Sequence, residues 1–265
     1  MSSLLTRILE DVRLEYVRLM QESDGLHPYL SAERLCHERL FIEPDTLARI
    51  VSEDPTLLAA RAGSLVMNKQ ERENPSVGVI ICSNILAASL EGLLTVAVEH
   101  DWLEVDEDGA LLVDEEEMSQ DNQYPISTDY SHSATARSNL TKPGQSQLSA
   151  IFNAAEDAFL ASLQECSRDA YQKALTLSSD YAVFAPDDLA PLIAENPLLL
   201  GLRPDGLIDE DMFDGDPPAG LIISTHLTRM LLHQLLELAV SEGVLSTDEH
   251  GHVIVPDSSD TPTLH

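Results

Sequence analysis

Between Leu4 and Met20 the apolar residues Leu4, Leu5, Ile8, Leu9, Val12, Tyr16, Leu19 and Met20 recur three and four places apart, with Arg, Asp and Glu opposite. That spacing predicts an amphipathic helix. A second stripe, from Leu148 through Ile151, Phe152, Ala155, Phe159 and Leu160 to Leu163, predicts another. The likeness is not confined to these helices. Shifted by 142 positions, Pro44-Asp45-x-Leu47-Ala48 lies on Pro186-Asp187-x-Leu189-Ala190, and Pro75-x-x-Gly78-x-Ile80-Ile81 lies on Pro217-x-x-Gly220-x-Ile222-Ile223. From Pro44 to Val113 about 24 of about 70 aligned pairs are identical, far above what unrelated segments show, so the chain contains a duplicated unit. The first helices are related by 143 positions instead, so one residue has been gained or lost before Pro44.

The duplication gives two readings of each element. A short helix is expected over Ala32 to Glu38. Pro44 and Pro186 each open a helix, since proline is tolerated in a first turn. Each ends before a proline pair, Asp54-Pro55 or Asn196-Pro197, because the residue preceding proline is driven out of the helical region. The β-branched run Val77-Gly78-Val79-Ile80-Ile81 predicts a buried strand. Ser83 or Asn84 then caps a helix of about sixteen residues ending near His100. Its second copy is apolar nearly all round, through Leu227, Met230, Leu231, Leu232, Leu235, Leu236 and Leu238. Such a helix is buried on more than one side. It is therefore the expected element for packing the copies together, with Leu231, Leu235 and Leu238 covering more surface than Ser89, Leu93 and Val96. Trp102–Val105 and Leu111–Val113 flank the acidic turn Asp106-Glu107-Asp108-Gly109, and Val244-Leu245 and Val253–Val255 flank Asp248-Glu249-His250-Gly251. Paired apolar runs around such a turn predict β-hairpins.

The order strand, long helix, hairpin resembles a winged helix over the last forty or so residues of each unit. The resulting expectation is an α+β fold of two tandem winged-helix-like units. The first repeat spans 1–114 and the second 147–256, with a polar linker over 115–146 and a frayed tail over 257–265. The linker lacks apolar periodicity, which predicts a mobile segment.

Charge narrows the function classes. With 46 acidic and 15 basic residues the net charge is −31, and lysine occurs only at Lys69, Lys142 and Lys173. Phosphate backbones and anionic membrane surfaces attract cationic side chains, so direct nucleic-acid and membrane binding are disfavoured. Three readings of the charge remain: solubility in a saline cytoplasm, attraction to a basic partner, or imitation of a DNA backbone. Cys36, Cys82 and Cys166 lack CxxC spacing and have no cysteine counterparts, which suits a reducing compartment. The first residues carry too many charges for a secretory signal, and no long uncharged apolar run is evident, so a cytoplasmic location is expected.

Candidate chemistry is sparse. His226, His233 and Glu237 share a helix face, but they lack metalloprotease spacing and an evident further ligand. Neither the DEDG turn nor the acidic stretch Asp209–Asp216 has the spacing of a calcium loop. Phosphate-binding glycine loops and nucleophile elbows are absent. Arg61 and Arg203 occur in both copies beside Glu53 and Glu195, and predict internal ion-pair anchors. No catalytic, cofactor or metal residue is assigned. The expectation is an acidic, non-enzymatic interaction module for a basic partner protein, a composition also compatible with homo-oligomers. The alternatives are an enzyme with a dispersed site between the units and a DNA-mimic inhibitor.

Overall fold

The computed structural model describes residues 2–22, 26–40, 42–62, 74–106, 112, 146–165, 169–204, 216–248, 250 and 253–254. The linker apart from Ser146, the tail, Cys166, and the acidic turns apart from Asp106, Asp216, Asp248 and His250 lie outside these residues.

The described residues form eight α-helices and one two-stranded sheet, so the fold is mostly helical and the winged-helix expectation is overturned. The helices are α1 (Leu4–Glu22), α2 (Pro28–Arg39), α3 (Pro44–Glu53), α4 (Val77–Glu99), α5 (Gln147–Glu165), α6 (Ala170–Ala182), α7 (Pro186–Glu195) and α8 (Ala219–Ser241). Short 3-10 helices, Pro55–Ala59 and Pro197–Gly201, follow α3 and α7. Strands β1 (Ser246–Thr247) and β2 (Val253–Ile254) pair antiparallel, Ser246 opposite Ile254. The first copy has the same register: the Leu112 amide donates to the Glu104 carbonyl over 2.9 Å. Element by element, the second half repeats the first.

The run expected to be a strand is the first turn and a half of α4. Val77 to Ile81 are all buried. A continuous apolar run fits a buried helix as well as a buried strand, and here the cap decides. Ser76, not Ser83 or Asn84, is the N-cap, and its hydroxyl accepts from the Val79 amide over 3.4 Å. Asn84 instead bonds back to the Ile80 carbonyl and reaches the Arg61 carbonyl, each over 2.8 Å. Ser3 and Ser146, equivalent under the duplication, cap α1 and α5 alike, accepting from Thr6 and Ser149 amides over 3.1 Å.

The chain divides into two compact units. The first holds residues 1–138 and 186–222, and the second 139–185 with 223–265, so the boundary falls inside α8. In the first unit α1, α2 and α4 pack around Val12, Tyr16, Ala32, Leu35, Cys36 and Leu93. Tyr16 is fully buried, and its hydroxyl donates to the Pro28 carbonyl over 3.1 Å. Its ring meets Trp102 edge-on at 6.1 Å, and Trp102 stacks on His100 at 4.7 Å. In the second unit α5 and α6 pack together, with Phe152, Ala155, Phe159 and Ala174 buried. Phe159 stands where α1 has Tyr16.

One described helix, Val77–Glu99, is long and apolar enough to cross a membrane, which the sequence reading had not picked out; half of its most apolar stretch is buried inside the protein. With Ile80, Ile81, Leu90 and Leu93 covered, it serves as a core helix of the first unit.

Candidate functional site

Within the first unit, α3 lies against α7, its own counterpart from the second copy. The residues each helix buries are equivalent. Leu47, Ala48, Ile50 and Val51 on α3 answer to Leu189, Ala190, Leu192 and Ile193 on α7, and none is more than 2% exposed. The 3-10 helices that follow join in through Leu58 and its equivalent Leu200, also buried.

Around this apolar seam the hydrogen bonds are reciprocal. The Ala219 amide donates to the Ala60 carbonyl over 2.8 Å, and the Val77 amide, its equivalent, donates to the Leu202 carbonyl over 2.9 Å. Arg61 donates to the Asp216 carbonyl over 2.8 Å, while Arg203 donates to the Asn74 carbonyl. Each bond in one direction has its mirror, because residues 60, 61, 74 and 77 correspond to 202, 203, 216 and 219. The described residues 44–62 and 74–80 are therefore related to 186–204 and 216–222 by a pseudo-twofold. The approach at the seam is close: a Cβ on Gly220 would sit 3.3 Å from both the Cβ and the carbonyl oxygen of Leu58, so Leu58 would have to give by a few tenths of an ångström.

The arginines anchor main-chain carbonyls across the copies, a role beyond the internal ion-pair anchoring that the sequence predicts. Glu53 accepts from the Leu4 amide over 2.6 Å, so it serves the start of α1. The surface expected at α8 also differs. Leu231 and Leu235 are fully buried, but Leu238 is only half-buried, and Ser89 in the first copy is buried as well. Ser89 is polar because it faces Cys36, whose thiol lies 3.7 Å from its hydroxyl. The second copy has Ser178 and Leu231 at these places, and Ser178 bonds back to the Leu175 carbonyl over 2.9 Å. Burial pushes the Cys36 thiol up, partly offset by the Ser89 hydrogen bond. A buried, protonated thiol is inert as a nucleophile.

His233 and Glu237 form an exposed i, i+4 pair at 3.5 Å, with both side chains about 70% exposed. Among the described residues no cluster of three His, Cys, Asp or Glu is placed to hold a metal. Apart from Tyr16 and Cys36, the polar residues found buried are serines, and none of the aspartates and glutamates whose side chains are described is buried. Of the ten described lysines and arginines five bond to the chain itself, while Arg7, Arg13, Arg18, Arg49 and Arg229 are exposed. Arg39 pairs with Glu15 at 2.7 Å and Arg34 with Glu38 at 3.8 Å; Arg61 and Arg203 hold carbonyls, and Lys173 holds the Ser162 carbonyl. The outcome is an exterior whose negative charge is weakly compensated.

No family model, no curated protein and no solved structure matches the chain.

Proposed function

We propose that the protein is a non-enzymatic interaction module of the cytoplasm whose acidic exterior engages a partner with a basic surface. The observation that supports this reading is the division of labour among charges. Net charge is −31 with 15 basic residues, none of the aspartates and glutamates whose side chains are described is buried, and five of the ten described lysines and arginines are bonded to the chain's own carbonyls and carboxylates. Such an exterior steers a cationic partner and repels nucleic acid and anionic membranes.

Affinity capture from the native lysate, read by mass spectrometry, tests the proposal with two baits. One is the parent; the other carries Asp187→Asn, Asp188→Asn, Glu99→Gln and Glu104→Gln, all at exposed positions. The parent should retain basic proteins at about 0.1 M salt and release them near 1 M, where the screening length falls from about 10 Å to about 3 Å. The neutralised bait should retain less. Retention of the same proteins by both baits, or of partners without a basic surface, would overturn the proposal.

A further inference from the structure

We infer that the surface formed by residues 44–62 and 74–80 recognises copies of itself, so that a second molecule of this protein can take the place that residues 186–204 and 216–222 occupy. An interface with twofold symmetry is isologous: each side presents the same patch, and every contact made in one direction is returned in the other. The seam in the first unit has that form although both sides belong to one chain.

Leu47, Ala48, Leu58, Arg61, Pro75 and Ile80 have identical counterparts at 189, 190, 200, 203, 217 and 222. At the buried positions Ile50 exchanges for Leu192, Val51 for Ile193 and Val77 for Ala219, while Arg49 and Ala60 correspond to Pro191 and Leu202. The three buried exchanges stay apolar; Ile for Leu conserves volume, the kind of change packed interiors absorb best, and the others change it by one and two carbon atoms. The polar bonds are equally indifferent to which copy supplies them. The acceptors for Arg61 and Arg203 are main-chain carbonyls of Asp216 and Asn74, and the amide pairs are also main-chain. A side-chain difference at 74 or 216 removes none of them. Tethering raises the local concentration of residues 186–222 around their partner, which favours pairing within one chain. Disabling that half should free 44–81 for a second molecule.

The test uses the full chain. Leu189→Asp with Ile193→Asp places two charges in the seam from the α7 side and leaves 44–81 intact. By size-exclusion chromatography with light scattering, this variant should show twice the parent's mass at high protein concentration. Adding Leu47→Asp should abolish the doubling. A variant that keeps the parent's mass at every concentration, or that loses its helical circular dichroism at every concentration, overturns the inference. A chimaera is an independent check: residues 186–204 and 216–222 are replaced by the sequences of 44–62 and 74–80, so that both sides are the first copy. It should unfold cooperatively within a few degrees of the parent. Failure to fold would show that the first copy does not accept itself.

Discussion

The turn that closes α4 offers a measurement with a built-in control. Asp101 has φ 58° there, and Gly243, its equivalent after α8, has φ 70°. The hydrogen bonds match: the residues that follow, Trp102 and Val244, donate to the Ala97 and Ala239 carbonyls over 2.8 and 2.9 Å. One copy thus uses glycine where the left-handed backbone favours it, and the other carries a side chain. Left-handed geometry costs about 1–2 kcal/mol for most residues and less for Asp. The carboxylate also faces the negative end of the helix, an unfavourable contribution of about 0.3–1 kcal/mol. Glycine returns about 0.4–1 kcal/mol through its greater freedom when unfolded. On balance Asp101→Gly should stabilise by about 0.5–1 kcal/mol. Gly243→Asp should destabilise by a similar amount, and since nothing lies within 4 Å of a Cβ there, no clash contributes. Asp101→Asn removes only the charge, and its gain should shrink in about 0.5 M salt. Urea unfolding followed by the fluorescence of Trp102, the single tryptophan, reports on the unit that contains the Asp101 turn; far-UV circular dichroism serves for Gly243. If Asp101→Gly proves neutral or destabilising, backbone strain at this turn is not a factor in stability and the comparison of the two copies is misread.

Burial, with a smaller contribution from Cys36, pushes the Tyr16 hydroxyl from 10.0 up to about 12. Its folded pKa is raised, so its stabilising contribution is complete below pH 10 and is lost as pH climbs towards about 12. Tyr16→Phe, which imitates Phe159, should cost about 0.5–1.5 kcal/mol at neutral pH from the lost bond to Pro28. It should also flatten the alkaline fall in melting temperature, and an unchanged alkaline limb would refute the assignment. Self-repulsion at −31 should make the melting temperature rise between about 0.02 and 0.5 M NaCl; a fall would mean that ion pairs, not repulsion, dominate.

Local rules found most of the helices. Pro44 and Pro186 mark the starts of α3 and α7, and Asp54-Pro55 and Asn196-Pro197 mark their ends, because proline acts on the backbone beside it. The strand pair of the second copy, Ser246–Thr247 with Val253–Ile254, was legible because short apolar runs flank a turn-forming stretch. The start of α4 was misread because Val77, Val79, Ile80 and Ile81 carry strand propensity, while the contrary signal was a single serine at 76. Propensity yields to burial when a segment is surrounded by apolar neighbours on every side. The seam itself left a subtler mark. Duplication shows that two segments are alike but not that they touch, and the Leu-rich α8 drew attention away from α3 and α7. A clue was present in what the copies retained. Arg61 and Arg203 persist in a chain poor in cations, and Gly78 and Gly220 persist inside helical segments where glycine is costly. The arginines and Gly220 are accounted for by the close approach across the seam.

The seam also sets the order in which the protein can be made. Residues 44–81 leave the ribosome 142 positions ahead of the segment that covers them. At about 5–20 residues per second, Leu47, Ile50, Val51 and Leu58 wait roughly 7–28 s for their cover. During that interval the nearest matching surface is on the adjacent ribosome of the same message, where another nascent chain presents the same helix. Translation speed and ribosome spacing therefore bear on whether the first seam a chain forms is with itself or with its neighbour.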